Sequence, residues 1–495
     1  MVSLEQLGMT ALFIDGSYRT PATDVRFTVV EPATGAELAQ VCEADPTAVH
    51  EAVVAARRAF EEVWPRLPAV VRAGYLADLA DALNDRVDDI AQIEARDTGI
   101  PLHVTRQGHL PRAIAQLRYF SGEAERLFGE AYPYDQAYVN VVTRDPVGVV
   151  GVLTPWSSPL SVATLNVAAA LASGNTCVLK PSELAPLSVM ALAEAAREVE
   201  LPPGVLNIVH GGPAVGRLIV EHPDVAVISF TGGTATGRSI LASAAHAIKR
   251  VGCELGGCGT TIIFSDANPE MALDGALLSA YGSNGESCIA GSRLLVERPL
   301  FGAFLDALVQ RVSQIQVGDP LAADTEVGPL ITHKHVKRLR AWIERACSRG
   351  LELRCGGGPP GDLERGSFLE PTVLSALDRG TLNPAEELFG PIATVTPFDT
   401  PEEAVSITND TLYGLGACIW TSDIERGLGV AKELRVGSIG LNSVIVRDIR
   451  VPFGGYKQSG IGRQGGSYSL DLFTELKAVS LPIHPFRLPR LGVID

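Results

Sequence analysis

Asp145–Lys180 reads DPVGVVGVLTPWSSPLSVATLNVAAALASGNTCVLK and carries no formal charge between its two ends. That is longer than the roughly 20 apolar residues of a membrane span. Its punctuation argues otherwise. Pro146, Pro155, Pro159, Gly148, Gly151, Gly174, Asn166 and Asn175 divide it into a strand at Val147–Leu153, a turn, a helix at Leu160–Ala172 and a second strand at Thr176–Leu179. Uncharged strands on either side of an apolar helix are the pattern of a parallel sheet buried on both faces.

The same alternation extends outward. A helix follows Leu187, then a strand at Val205–Val209, a helix near 213–221, a strand at Val225–Phe230 and a helix after Thr234. Upstream, Asp45-Pro46 offers an N-cap and a first-turn proline, with Val49, Val53, Ala56 and Phe60 at helical spacing, which predicts a helix near 46–62. A second alternation runs from Thr261 to about Asn442, with strands at Thr261–Phe264 and Arg293–Val296 and helices near 270–281, 299–314, 333–349 and 424–435. The fold class is therefore α/β, with two domains of mostly parallel sheet covered by helices on both faces. Ala137–Thr143 alternates polar residues with valine and predicts an antiparallel strand with one exposed face, at an edge or an interface.

Composition sets limits on function. The 495 residues are 46% hydrophobic and 20% charged, which suits a large core. A net charge of −16 repels nucleic-acid phosphates, so no nucleic-acid partner is expected, and the broken-up uncharged stretch leaves no membrane association expected either. The eight cysteines form no CxxC pair, and Met1–Asp15 lacks the basic start of a signal peptide; both point to a reducing, cytoplasmic setting.

Three local patterns carry chemistry. Ile228–Ser239 (ISFTGGTATGRS) is a strand entering a glycine-rich turn that opens a helix, so backbone N–H groups and the helix dipole aim at an anion. It nearly matches a P-loop, but Arg238 stands where the phosphate-binding lysine belongs. A dinucleotide pyrophosphate site is favoured; a nucleotide-phosphate site and a plain structural turn remain open. Gly460–Gly465 also spells GxGxxG, yet no apolar strand runs into it, and it reads as a loop. Cys288 lies among small residues (SNGESCIAGSR, Ser283–Arg293) that leave room for a substrate beside its sulfur, although a free cysteine is also a common inert core residue. Glu254, at the end of an apolar strand, is a candidate general base with a raised pKa or a paired structural carboxylate. His333 and His335 lack a third ligand and are read as solvated, so no metal site is expected.

Together these residues resemble the aldehyde dehydrogenase family along nearly the whole chain. Pro155–Pro159 (PWSSP), Lys180–Glu183 (KPSE), Phe230–Gly233, Glu254–Gly257 (ELGG), the Cys288 segment, Glu387–Pro391 (ELFGP) and Pro452–Gly460 (PFGGYKQSG) occur in the family's order. Within it the chain is most similar to the carboxymethyl-hydroxymuconate semialdehyde dehydrogenases of aromatic catabolism, through Asp97–His103, Ser229–Arg238 and Gly460–Glu475.

The resemblance implies a Rossmann-like cofactor domain from 1–125 and 147–256, a catalytic domain at 257–460 and a small β oligomerisation element at 126–146 and 474–492, joining a homodimer or homotetramer. It implies oxidation of an aldehyde, an aromatic-pathway semialdehyde or another apolar aldehyde, to the acid. Cys288 attacks the carbonyl, hydride leaves the thiohemiacetal for NAD, and Glu254 activates the water that hydrolyses the thioester. Lys180 and Glu183 would hold the adenosine ribose, Gly233 the pyrophosphate and Glu387 the nicotinamide ribose, with Trp156 lining the site and Phe389 completing the cofactor set. Glu183 favours NAD over NADP, because a carboxylate repels a 2′-phosphate.

Some positions depart from the family. Ser157 replaces an asparagine that helps bind the oxyanion, Cys258-Gly259-Thr260 replaces Lys-Ser-Pro, Gln464 replaces a proton-relay glutamate, and Ser287 replaces an arginine found in the semialdehyde enzymes. These changes leave a catalytically weakened relative as an alternative reading. Arg112, Arg447 and Arg450 are candidates for a substrate carboxylate, with a surface salt bridge the expected fate of each.

Overall fold

The computed structural model describes residues 10–134, 138–361, 363, 365–376, 386–485 and 491–492. The uncharged stretch folds as its punctuation predicts. Strand β1 (Val149–Leu153), helix α1 (Pro159–Ala172) and strand β2 (Thr176–Lys180) are almost entirely buried. Strands β3 (Leu206–Ile208), β4 (Val225–Thr231) and β5 (Arg250–Glu254) follow, with helix α2 (Thr234–Ala245) between the last two. The five strands are parallel in the order β5-β4-β1-β2-β3. The chain thus winds outward from β1 through β3, returns to β1's other side and continues to β5. The strand order reverses between β1 and β4, and in such sheets ligands bind beyond the carboxyl ends at that reversal.

Antiparallel strands close both edges. Leu12–Ile14 pairs beside β3, and Gly460–Ile461 pairs beside β5, so two residues of the glycine-rich segment read as a loop are an edge strand. A second sheet of seven strands is parallel throughout except for the pairing of Glu352–Cys355 with Thr372–Ser375. The helix expected near 46–62 spans Pro46–Glu62, and the Asp45 side chain accepts the Ala48 N–H as its N-cap.

A third sheet has three antiparallel strands ordered Thr474–Pro482, Tyr138–Pro146, Glu130–Pro133. Tyr138–Pro146 is therefore central, not an edge, because the C-terminal strand covers one side of it. Both outer strands leave an open edge, Glu130–Pro133 exposed throughout and Thr474–Pro482 along all but its first residue. Ala137 and 486–490 lie outside the described residues. Among the described residues no helix is long and apolar enough to cross a membrane.

Buried Asn175 ties these parts together. Its Oδ1 accepts the Val147 and Gly148 N–H groups, and its Nδ2 donates to the carbonyls of Ala170 and Phe473. One amide thereby fixes the entry to β1, the end of α1 and the run into the C-terminal strand. Asn175→Ala strands two buried donors and two acceptors, and should destabilise the protein by about 3 kcal/mol. Scanning calorimetry should show a melting temperature several degrees lower; an unchanged one would refute this role.

Candidate active site

A cavity of about 640 Å³ opens at the β1/β4 reversal and reaches the second sheet. This lies within the range of small-molecule and cofactor sites. Gly232 and Gly233 line it where β4 turns into α2. A Cβ on Gly232 would come within 2.6 Å of the Phe230 ring, whereas Gly233 faces open space, so the helix's first N–H groups are approachable. Arg238 instead turns to hydrogen-bond Gln458, which removes the P-loop reading of this turn.

Glu254 ends β5 and projects into the cavity with 6% exposure. Burial raises its pKa to about 8, against the pull of the Arg447 and Arg463 cations. Among the described residues its Oε2 has no hydrogen-bond partner.

The next residues cross from the first sheet to the second. A Cβ on Gly256 would fall 2.2 Å from Glu387 Oε2, and one on Gly257 2.3 Å from the Cys288 carbonyl oxygen. These glycines let Glu387 and the Cys288 loop close on the crossing, and the Gly257 N–H donates to Glu387 Oε1 at 3.0 Å.

Cys288 follows a short kinked turn in which Ser283 and Asn284 adopt left-handed backbone. Buried Asn284 braces this turn, donating to the Gly99 and Pro329 carbonyls and accepting the Gly328 N–H. The thiol lines the cavity. Burial pushes its pKa to about 11, and the Arg447 guanidinium pulls it back.

Trp156, Ser157, Glu387 and Phe389 line the same cavity. The Phe389 ring stands edge-on to Trp156 at 5.1 Å. Lys180 and Glu183 lie at the end of β2, outside that lining, with Nζ and Oε2 3.7 Å apart; Lys180 also donates to the carbonyls of Pro181 and Gly211. Gln464 reaches the cavity and donates to Asn166 Oδ1. Cys258 points elsewhere, toward the Glu386 carbonyl, so that departure from the family does not touch the cavity.

Three expectations change. Arg112 and Arg447 face the cavity instead of forming surface salt bridges; only Arg450 does so, with Asp448. Arg447 lies over the Phe453 ring at 3.6 Å, and burial lowers its pKa to about 10. The available signal was its position in Val444–Ile449, a run apolar but for Asp448. His335 is not solvated: its Nε2 meets the Phe389 carbonyl at 2.6 Å, its ring stands edge-on to Trp156, and burial lowers its pKa to about 4. Its partners come from distant segments, which helix periodicity does not report.

Residues 18–479 match the aldehyde dehydrogenase family. The chain belongs to that family. It is 40% identical to the 2-aminomuconic 6-semialdehyde dehydrogenase of a Pseudomonas species over 95% of its own length and 97% of the relative's. It is also 40% identical to the 5-carboxymethyl-2-hydroxymuconate semialdehyde dehydrogenase of Escherichia coli, over 90% and 95%. The NAD+ complex of a Bacillus cereus aldehyde dehydrogenase superposes with a TM-score of 0.94 at 38% identity, covering 96% of this chain and 97% of that one. The aldehyde dehydrogenase fold expected from the sequence is the fold observed.

In this aldehyde dehydrogenase the raised Glu254 pKa also bears on stability. The folded protein holds a proton on Glu254 between the ordinary carboxyl value of 4.5 and about 8, where the unfolded chain has released it. Stability conferred by this group is therefore lost as pH rises through that window. Glu254→Gln should be more stable than the parent at about pH 9, with a smaller difference at about pH 5. Melting curves at the two pH values test the sign, and an equal difference at both would contradict it.

Proposed function

We propose that the substrate is a semialdehyde carrying a carboxylate, which NAD-dependent oxidation converts to a dicarboxylic acid. The observation behind this reading is the pair Arg112 and Arg447. Both face the cavity, each loses solvation there, and the positive charge of Arg112 acts on Arg447. Among the described residues neither has an ion-pair partner, and two like charges in a partly dry cavity favour an anion between them. The Pseudomonas and Escherichia coli relatives are named for semialdehydes of the muconate type, which supports the same class.

The remaining groups take the family's roles. Cys288 attacks the aldehyde carbon as a thiolate favoured by Arg447, while its backbone N–H and the Ser157 hydroxyl donate to the oxyanion. NAD, when bound across the Gly232–Gly233 turn, supplies the hydride acceptor. Glu254 takes a proton from the water that cleaves the Cys288 thioester, releasing the acid and restoring the thiol. Trp156 and Phe389 wall the cavity beside the cofactor, Glu387 holds its nicotinamide ribose, and Lys180 and Glu183 hold the adenosine ribose. The Glu183 carboxylate suits a free 2′-hydroxyl and disfavours NADP.

Cys288→Ala should abolish aldehyde-dependent NADH formation. Arg112→Met should lower kcat/KM for a carboxylate-bearing semialdehyde by roughly 10–100-fold while changing that for benzaldehyde by less than about threefold. Equal losses on both aldehydes would remove Arg112 from carboxylate recognition.

The exposed strand Thr474–Pro482 supports assembly through sheet extension, into a homodimer or homotetramer. Sedimentation velocity at micromolar concentration should show at least twice the 52.3 kDa chain mass, and a monomer would overturn this.

A further inference from the structure

The cavity wall carries a hydrogen-bonded chain that aldehyde oxidation leaves unused. Ser158 Oγ lies 3.0 Å from His109 Nε2, and His109 Nδ1 lies 2.8 Å from Glu94 Oε1. Ser158 and His109 both line the cavity, whereas Glu94 is fully buried behind them. Both carboxyl oxygens of Glu94 are engaged. Oε2 accepts the Ser188 hydroxyl at 2.8 Å and faces the Leu160 N–H at 3.5 Å.

The order of the three groups fixes the direction of the chain. A carboxylate only accepts, so the proton between Glu94 and His109 belongs to Nδ1. Nε2 is then left as an acceptor, and the Ser158 hydroxyl donates to it. A histidine serving only the core would spend its second nitrogen on a buried partner; here it is spent on a serine at the cavity surface.

The backbone presents both residues. Ser158 is a non-glycine residue in the left-handed region (φ 52°, ψ 56°) at the corner between β1 and α1, followed at once by Pro159. Such strain persists where the surroundings enforce it, and it turns the side chain toward the cavity. His109 closes a π-helical turn, Thr105–His109, which displaces it from the regular helical path just before helix Leu110–Ala124.

We propose that Ser158, His109 and Glu94 form a second nucleophilic centre, which hydrolyses small carboxylic esters without Cys288. The arrangement is that of a serine, a base and an orienting acid, a constellation identified by geometry and not by fold. Ser158 Oγ bonds to the ester carbonyl carbon as its proton passes to His109 Nε2. The ester C–O bond breaks, and the leaving alcohol takes that proton. Water then gives a proton to His109 and its oxygen to the acyl carbon; the acyl–Oγ bond breaks, the carboxylic acid departs, and the proton returns to Ser158. Nothing is oxidised or reduced. Arg112, one helical turn beyond His109 on the same wall, supplies positive charge near the developing oxyanion.

The test removes the other nucleophile first, because a thiolate also attacks esters. Full-length Cys288→Ala, assayed without cofactor, should hydrolyse p-nitrophenyl acetate above the buffer rate. Adding Ser158→Ala or His109→Gln should lower that rate at least tenfold, while melting curves report folding. A fluorophosphonate should label Cys288→Ala at Ser158, located by peptide mass, and this reads out the centre even where a double variant is unstable. Equal rates in Cys288→Ala and Cys288→Ala/Ser158→Ala, or a label absent from Ser158, would overturn the proposal. The outcome is independent of which aldehyde the enzyme oxidises.

Discussion

The site depends on the chain crossing from one sheet to the other without side chains at Gly256 and Gly257. On one side of that crossing lies the Glu387 carboxylate and on the other the Cys288 carbonyl, each close enough that a single added carbon would collide. Glu254 ends the first sheet immediately before the crossing, and strand Thr260–Ile263 begins the second immediately after it. The backbone therefore sets Glu254, Cys288 and Glu387 around one short segment, and the cavity is what remains between the two sheets. A β-carbon on Gly257 would collide with the Cys288 carbonyl and displace its loop relative to Glu254.

Bringing these groups together has an electrostatic consequence. Burial disfavours the anions of both Cys288 and Glu254, and Arg447 opposes this for both. Arg447 is itself desolvated, so its charge is felt at short range instead of being dispersed in water. The same cation that favours the Cys288 thiolate also faces the cavity, as the proposed recognition of an anionic substrate requires.

The sheets, most helices and the positions of Cys288 and Glu254 were legible because each is encoded locally. Val147–Lys180 alternates over a single βαβ unit, and the ELGG and PWSSP segments declare their geometry in a few residues. His109 and His335 were not legible, because each finds its partners far along the chain. His335 meets Phe389, 54 positions away, and His109 meets Ser158, 49 positions away. A periodic pattern places a residue on a helix face but does not say which distant loop will cover that face. The strand around Val139 was misplaced for the same reason: its second neighbour comes from the C-terminal segment.

This division between local and distant information explains why the motifs name the reaction more readily than its substrate. The glutamate and the glycine turn stand at β-strand ends, and the cysteine lies in the loop between a short kinked turn and strand Arg293–Glu297. Arg112 and His109 come from helix Leu110–Ala124, which packs on α1, and the turn before it, while Arg447 comes from the loop after strand Ser438–Leu441. At the facing corner, Ser157 and Ser158 are both small, so Arg112 and His109 reach the cavity instead of being screened from it. A change of side chain on that one helix can alter what the cavity recognises while leaving every residue of the hydride-transfer machinery in place.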